Sequence, residues 1–266
     1  MQRILIVIDG NANDAESLTS ARNFATFTGA QLTVAHARVQ DQAIMGVGEF
    51  FFASSDADRP KQNETRAKAA YDAVCGNLKD GRFLVYEASS DAVVRALGYS
   101  YDLIMVERLS REDGPEASNL NAALFDTGRP VLLVPPTVSD GPIKRIAVAW
   151  NGSPQTARAI KSALPLLQVA QDVVILQGSG TGEVSADPLL EFLSAHNVLA
   201  RVQSYDSERL TARARGRALI AATGQAGADL LVTGAFGEGR PGVLAGLGRA
   251  TRKIVTAAPM PVLLQS

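Results

Sequence analysis

The same ordered set of sequence landmarks occurs twice in this chain, and this repetition constrains the fold more than any other feature. An apolar run at residues 4–8 returns at 146–150. Asp102-Leu-Ile-Met-Val returns as Asp229-Leu-Leu-Val, and Pro130-Val-Leu-Leu returns as Pro261-Val-Leu-Leu. Landmarks that recur in the same order indicate a tandem duplication of one structural unit.

A run of prolines and small polar residues separates the two copies. The segment Pro135-Pro136-Thr-Val-Ser-Asp-Gly141-Pro142 favours neither a helix nor a strand, because proline lacks the backbone N–H. We therefore predict two domains, residues 1–136 and 143–266, with the boundary near residue 140. The second copy lacks most of an irregular insertion that the first copy carries at 40–61.

Short apolar runs alternate with segments of helical periodicity. In the first copy we predict strands at 3–10, 31–37, 82–87, 102–106 and 130–134, and helices that end near 28, 78, 98 and 127, the second of them starting near 63. Apolar runs alternating with helices are typical of a parallel sheet covered on both faces. Right-handed crossovers then predict a doubly wound α/β sheet in the order 3-2-1-4-5, with ligands at the carboxyl ends of strands one and four.

Composition excludes several classes of function. With a net charge of −1 over 266 residues, the chain has no electrostatic case for binding nucleic acid or an anionic membrane. Its apolar runs are shorter than the ~20 residues of a membrane span, and the N-terminus enters a strand without a signal peptide. The lone Cys75 suits a reducing compartment, so we expect a cytoplasmic protein. His36 and His196 lie in unrelated stretches, so we predict no metal site, and no nucleophile–base pair stands at motif spacing.

Residues 229–252 form the most informative stretch of the chain. A short apolar strand at 230–233 is followed by a glycine-rich loop and then by a helical segment at 249–257. Glycine permits positive φ and adds no side chain, so such a loop lets backbone N–H groups approach a phosphate. Positive charge beside it would come from Arg240, Arg249 and Arg252. The alternative is a surface loop whose glycines only make turns.

Several of these motifs together resemble the universal stress protein family, in its tandem two-domain form, over nearly the whole chain. They are Val7-Ile8-Asp9-Gly10, Ala149-Trp-Asn-Gly-Ser153, Asp229-Leu-Leu-Val-Thr-Gly234, the glycine loop and Pro261-Val-Leu-Leu264. The resemblance implies two five-stranded sheets whose fifth strands pair across a pseudo-two-fold axis. Many members of the family bind ATP through the pattern G-x2-G-x9-G-[ST] after strand four, with an acidic residue after strand one beside the nucleotide.

The second copy matches that pattern in part. Gly234 and Gly237 fit its start, and with one inserted residue Gly248 fits its last glycine, which puts Arg249 in place of the small hydroxyl residue. An arginine there either clamps a phosphate or fills its place, and the sequence leaves both open. Asn151 replaces the acidic residue, where we expect its amide to accept a hydrogen bond from an adenine amine. The resemblance thus implies a degenerate site for ATP, with Mg²⁺, at Asn151, Gly234, Gly237, Gly248, Arg249 and Thr251.

The first copy keeps Asp9 but has no glycine loop. Its fourth strand leads into Glu107-Arg-Leu-Ser-Arg-Glu-Asp-Gly114, whose carboxylates would repel phosphate. We interpret Asp9 as a polar turn residue and expect this half to bind no triphosphate.

Three other features have structural interpretations that we prefer. Arg213, Arg215 and Arg217 lie two residues apart, so they spread around a solvated helix. The segment Phe50–Phe52 packs over the core of the first domain in the interpretation that we prefer, and the alternative is that it covers a groove or a partner surface. Trp150 is by default a core or interdomain contact, and the alternative is stacking on a ligand ring.

Our preferred hypothesis is a cytoplasmic stress-response protein that binds an adenine nucleotide, ATP, in its second half. It would act as a regulator or interaction module for an unidentified protein partner, with at most a weak ATPase activity. The two halves would form an intramolecular pseudo-dimer, and further pairing into a homodimer is left open. The alternatives are a structural or interaction protein of the same fold in which both sites are degenerate, and a binder or enzyme for another small molecule near Phe50–Phe52.

Overall fold

The computed structural model describes residues 1–38, 59–114, 116–136, 141–179, 184–235, 244 and 246–266. Gly237, Arg240 and the segment Phe50–Phe52 lie outside the described residues. In the first half the elements are β1 (Arg3–Ile8), α1 (Asp14–Thr28), β2 (Gln31–Ala37), α2 (Arg59–Cys75), β3 (Arg82–Tyr86), α3 (Ser90–Leu97), β4 (Leu103–Glu107), α4 (Glu116–Asp126) and β5 (Val131–Val134).

The second half repeats this order of strands and helices. Its elements are β6 (Arg145–Trp150), α5 (Pro154–Leu167), β7 (Asp172–Gly178), α6 (Asp187–Ala195), β8 (Ala200–Tyr205), α7 (Ala212–Gln225), β9 (Leu230–Gly234), α8 (Arg249–Ala257) and β10 (Val262–Gln265). The start of α2 differs from the sequence prediction, since the helix begins at Arg59 and not near residue 63. Pro60 is compatible with this, because proline is tolerated in the first turn of a helix, whose N–H groups have no intrahelical partner.

The ten strands form one sheet in the order β3-β2-β1-β4-β5-β10-β9-β6-β7-β8. Each half therefore has the predicted order 3-2-1-4-5, and its strands are parallel to one another. This confirms the predicted fold class. The domain limits 1–136 and 143–266 stay a prediction, because the sheet runs through both halves without a break.

The fifth strands of the two halves join the sheet at its centre. β5 and β10 are antiparallel, with Val131 opposite Leu264, Leu132 opposite Leu263, and Leu133 opposite Val262. The register is reciprocal about the pair Leu132–Leu263, which gives the two halves an approximate two-fold relation. All these side chains are at most 1% exposed, so the contact between β5 and β10 belongs to the core and excludes solvent.

Helices cover both faces of the sheet, and each face has a core that both halves share. The larger core packs side chains of α1, α2, α5 and α6 on one face, and a second core packs those of α3, α4, α7 and α8 on the other. Within the described parts of the chain, no helix is both long and apolar enough to cross a membrane.

The segment that follows β4 in the first half packs against α8 of the second half. The backbone N–H of Leu109 donates to the Val255 carbonyl at 3.2 Å, and Arg108 Nη1 donates to the Thr256 carbonyl at 3.4 Å. The Glu112 carboxylate lies 3.6 Å from Arg252 Nη1. In position along the chain this segment corresponds to the glycine loop of the second half. Its contacts support α8 of the second half.

We predict that Leu109→Ala destabilises the second half as well as the first. Leu109 is fully buried in the core shared by the two halves, so its truncation leaves a cavity and costs about 2–5 kcal/mol. Urea unfolding followed by the fluorescence of Trp150, the single tryptophan, reports on the second half. Leu199→Ala is the control, because Leu199 is 90% exposed. An unchanged Trp150 transition in Leu109→Ala would contradict the prediction.

Candidate functional site

A cavity of about 460 Å³ opens at the carboxyl edge of the second half of the sheet. Its wall comes from the ends of β6, β7, β8 and β9 and from the first turns of α7 and α8. Such an edge, where β6 has β7 on one side and β9 on the other, is the usual ligand position in doubly wound folds.

Asn151 follows β6 and lies in the cavity wall. Its Oδ1 accepts hydrogen bonds from the Ser153 backbone N–H at 3.1 Å and from Thr156 Oγ1 at 2.7 Å. The two lone pairs of the amide oxygen are therefore already used. The group that Asn151 can offer a ligand is its Nδ2 donor, and not the acceptor that we expected from the sequence.

The N-terminus of α8 supplies backbone donors at the same wall. Gly248 is the N-cap residue in an extended conformation, and glycine has no side chain that could cap the helix. The first N–H groups of a helix have no intrahelical partner, and the helix dipole makes this end positive. Ala250 and Thr251, in the first turn, line the cavity, and no described residue hydrogen-bonds the Thr251 hydroxyl.

Two glycines of this region have packing roles. A Cβ at Gly234 would lie 2.6 Å from the Thr156 backbone nitrogen, so glycine lets the end of β9 approach the start of α5. A Cβ at Gly246 would lie 2.5 Å from Cζ of the Phe125 ring, which belongs to α4 of the first half. Gly246 therefore packs against the other half, whereas Gly248 leads directly into α8.

The structure brings together part of the predicted site. Asn151, Gly234 and Thr251 line the cavity, and Gly248 directly precedes the first turn of α8. Arg249 is exposed and does not belong to the wall. Gly237 is not among the described residues.

Arg252, which we expected to add charge beside the phosphates, has a structural role instead. Its Nε donates to the Leu247 carbonyl at 2.9 Å, and its Nη2 donates to the Leu244 carbonyl at 2.8 Å. With Glu112 beside it, this guanidinium ties the end of the glycine loop to both α8 and the first half. It does not belong to the cavity wall.

Sequence reasoning missed two cationic residues of the cavity wall, Arg209 and Arg215. Arg213, Arg215 and Arg217 are all exposed on α7, which confirms the predicted solvated helix, and the side chain of Arg215 also borders the cavity. Arg213 instead lies 3.7 Å from Glu112, and Arg217 is exposed outside the wall. The predicted strand order could have indicated these two arginines. The helices of a parallel sheet begin at its carboxyl edge, so the start of α7 is expected near the ligand position.

Trp150 makes the core contact that we expected by default, and stacking on a ligand ring stays a prediction. Its ring packs against the larger core and also borders the cavity. Its Nε1 donates to the Ser185 carbonyl at 3.0 Å, so the ring is held in place without a ligand.

The corresponding edge of the first half is nearly filled and acidic. Its cavity has a volume of about 40 Å³, and four carboxylic acids border it: Asp9, Asp14, Glu107 and Glu116. Asp9 accepts a hydrogen bond from the Ser90 hydroxyl. A Cβ at Gly10 would lie 2.2 Å from the Asn63 carbonyl oxygen, because α2 packs directly on this turn.

Burial changes the acidity of this cluster. It raises the pKa of Asp14 from 3.8 to about 7, and repulsion by Asp9 and Glu107 acts in the same direction. The Gly10 N–H donates to Asp14 Oδ2 at 2.9 Å and offsets part of this effect. Burial, followed by repulsion from Glu116, also raises the pKa of Glu107.

The remaining reactive side chains add no further chemistry to the site. Burial raises the pKa of Cys75 to about 11, so its thiol stays protonated at neutral pH. Among the residues with described positions, no group of three or more His, Cys, Asp or Glu side chains is arranged to hold a metal ion.

We predict that Asp14→Asn stabilises the protein at neutral and alkaline pH. Below pH 4 Asp14 is protonated in both the folded and the unfolded chain, so variant and wild type should be about equally stable. Between pH 4 and 7 the unfolded chain releases this proton while the folded chain holds it, so the wild type loses stability. Above pH 7 the advantage of the variant reaches about 1–4 kcal/mol, since one pKa unit corresponds to about 1.4 kcal/mol.

Urea unfolding at pH 4, 6 and 8 measures this difference. Asp113→Asn is the control, because Asp113 is exposed and Arg111 lowers its pKa below the ordinary value, so it is ionised in both the folded and the unfolded chain at pH 6 and pH 8. Equal stabilities of Asp14→Asn and wild type at pH 8 would contradict the buried, raised-pKa state of Asp14.

Comparison with known proteins identifies the fold. Neither a protein-family model nor a curated protein sequence matches the chain. Among solved structures, a universal stress protein from Archaeoglobus fulgidus superposes with a TM-score of 0.72 at 17% identity, covering 99% of this chain and 98% of that one.

Two proteins from Pseudomonas aeruginosa superpose over the whole of this chain at 12% identity. One is a candidate universal stress protein, with a TM-score of 0.58 and 93% of its length covered. The other is functionally unknown, with a TM-score of 0.56 and 92% of its length covered. The chain therefore has the fold of the universal stress proteins over its full length.

Proposed function

We propose that this protein is a stress-response protein that binds an adenine nucleotide, ATP, in the cavity of its second half. The observation that carries the proposal is the cavity of about 460 Å³ at the uncapped N-terminus of α8, against about 40 Å³ at the equivalent edge of the first half. Ligand pockets typically have volumes of about 300–1,000 Å³. The fold shared with universal stress proteins supports the physiological role.

The phosphates of the nucleotide would lie at the first turn of α8. The backbone N–H groups near Gly248 and the hydroxyl of Thr251 are donors there, and the positive end of the helix dipole attracts an anion. Among the described wall residues Glu208 is the only carboxylate. Mg²⁺ would therefore enter bound to the phosphates and not to an acidic cage of the protein.

The base and ribose would lie toward the ends of β6 and β7. Trp150 and Val184 offer apolar surface there, and Asn151 Nδ2 offers a donor. Gln177 Nε2 donates to the Val184 carbonyl at 3.0 Å, which leaves its Oε1 as an acceptor for an amine. This set of one apolar surface, one donor and one acceptor suits an adenine ring or a ribose edge.

Binding would convert the site into a signal through the contacts of α8. A nucleotide held at its N-terminus biases the position of a helix that Leu109 and Arg108 of the first half also contact. The protein would then present different surfaces to a protein partner in its free and bound states. Any hydrolysis of ATP would be weak.

We predict that wild-type protein binds Mg-ATP and is stabilised by it. Isothermal titration calorimetry measures the affinity, and the midpoint of thermal unfolding should rise with ATP concentration, because a ligand of the folded state stabilises it. Adenine nucleotide in a denaturing extract of the purified protein would be a second readout. No heat of binding and no thermal shift at millimolar Mg-ATP would overturn the proposal and favour the alternative, an interaction protein with two degenerate sites.

We further predict that Thr251→Val weakens ATP binding about tenfold or more while the fold is unchanged, since a hydrogen bond to a charged group contributes about 1.5–3 kcal/mol. The substitution keeps the shape of the side chain and removes only the hydroxyl. Thr256→Val on the same helix is the matched control, because its hydroxyl bonds the Arg252 carbonyl at 2.9 Å and lies outside the cavity wall. Equal ATP affinity of the two variants would contradict the placement of the phosphates.

A further inference from the structure

Arg215 lies on the wall of the cavity, and only one nitrogen of its guanidinium donates a hydrogen bond to a described residue. It belongs to the first part of α7, and its Nε donates to the Leu210 carbonyl at 3.2 Å, which turns the side chain back toward the start of the helix. Within the described structure its Nη1 and Nη2 groups have no hydrogen-bond partner. A guanidinium held by one nitrogen keeps its remaining donors for an anion.

α7 packs on the first turns of α8 at Gly216, the residue that follows Arg215. A Cβ at Gly216 would lie 2.6 Å from the Ala250 carbonyl oxygen and 3.0 Å from Lys253 Cβ, so the backbone of α7 touches the first turns of α8. Arg215 precedes this contact by one residue. Arg215 and the first turn of α8, through Ala250 and Thr251, therefore line the same cavity.

Arg209 adds a second cation from the turn between β8 and α7. It also lines the cavity, and its backbone has φ of 58°, in the left-handed region that arginine rarely adopts. Such conformations concentrate at functional sites. The carboxylate of Glu208, next to it, is the only opposing charge in the described wall.

The wall of the cavity thus combines neutral and cationic side chains. The side chains of Asn151, Gln177 and Trp150, at the ends of β6 and β7, are neutral, whereas Arg209 and Arg215 come from the turn before α7 and from α7 itself. A ligand that fits this pattern has an uncharged ring system at one end and several negative charges at the other. A nucleoside polyphosphate has this shape, and a monophosphate leaves part of the positive wall without a partner.

We propose that Arg215, with Arg209 beside it, binds the distal phosphates of the nucleotide and makes the cavity selective for polyphosphates over monophosphates. This inference rests on the proposed nucleotide function and specifies the ligand class of the same site. The phosphate charges are thus bound by Arg215 of α7. Arg249 lies outside the wall and does not take part.

The test compares the affinities of ATP, ADP and AMP by isothermal titration calorimetry. Wild-type protein should bind ATP more tightly than ADP, and ADP more tightly than AMP. Arg215→Gln should lose about tenfold or more of its ATP affinity but little of its AMP affinity, because charge-assisted hydrogen bonds to the outer phosphates are lost. Arg215→Lys keeps the charge and should retain part of the preference for ATP.

Arg217→Gln is the matched control, since Arg217 lies on the same helix, is exposed and does not line the cavity. It should keep the wild-type ratio of ATP to AMP affinity. The same ratio in Arg215→Gln, with ATP binding intact, would overturn this inference alone. Failure of the wild type to bind any of the three nucleotides would overturn the proposed function, and this inference with it.

Discussion

The antiparallel pairing of β5 with β10 is the constraint on which the rest of the structure depends. It joins two five-stranded units through strands whose side chains are almost entirely removed from water. Because β5 and β10 are edge strands within their own units, leaving either unpaired would expose a row of backbone donors and acceptors. Their union fixes the two units in one sheet, and both faces can then be covered by helices that share their cores.

Within this common frame the two carboxyl edges have opposite electrostatics. Asn151 accepts a hydrogen bond from Thr156 in the second half, whereas the equivalent positions of the first half hold Asp9 and Asp14, which repel each other. The first-half edge has a small cavity bordered by four carboxylic acids, whereas the second-half edge has a larger cavity bordered by two arginines. An anion would meet a barrier in one half and a positive wall in the other.

The sequence carried most of the fold and about half of the candidate site. Strand positions and their order followed from apolar runs and handedness, since burial on both faces leaves a clear pattern. The roles of Asn151 and Arg215 did not follow, because they depend on contacts between elements. A neighbouring Thr156 decides which amide atom of Asn151 faces the cavity, and the approach of α7 to α8 at Gly216 decides where Arg215 lies. Single-sequence patterns do not encode such distances.

The contact of the segment after β4 with α8 shows what is gained when two such units occupy one polypeptide. In a dimer of identical subunits, any replacement in that segment occurs in both subunits. A side chain that supports the neighbouring subunit would therefore also replace the glycine loop. Here the two copies vary separately. The first half has Leu109 and Glu112 in the segment that corresponds to the glycine loop, and both contact the helix that borders the open cavity of the second half. The two halves can therefore differ, one supporting α8 and the other bordering the open cavity. Two identical subunits cannot differ in this way.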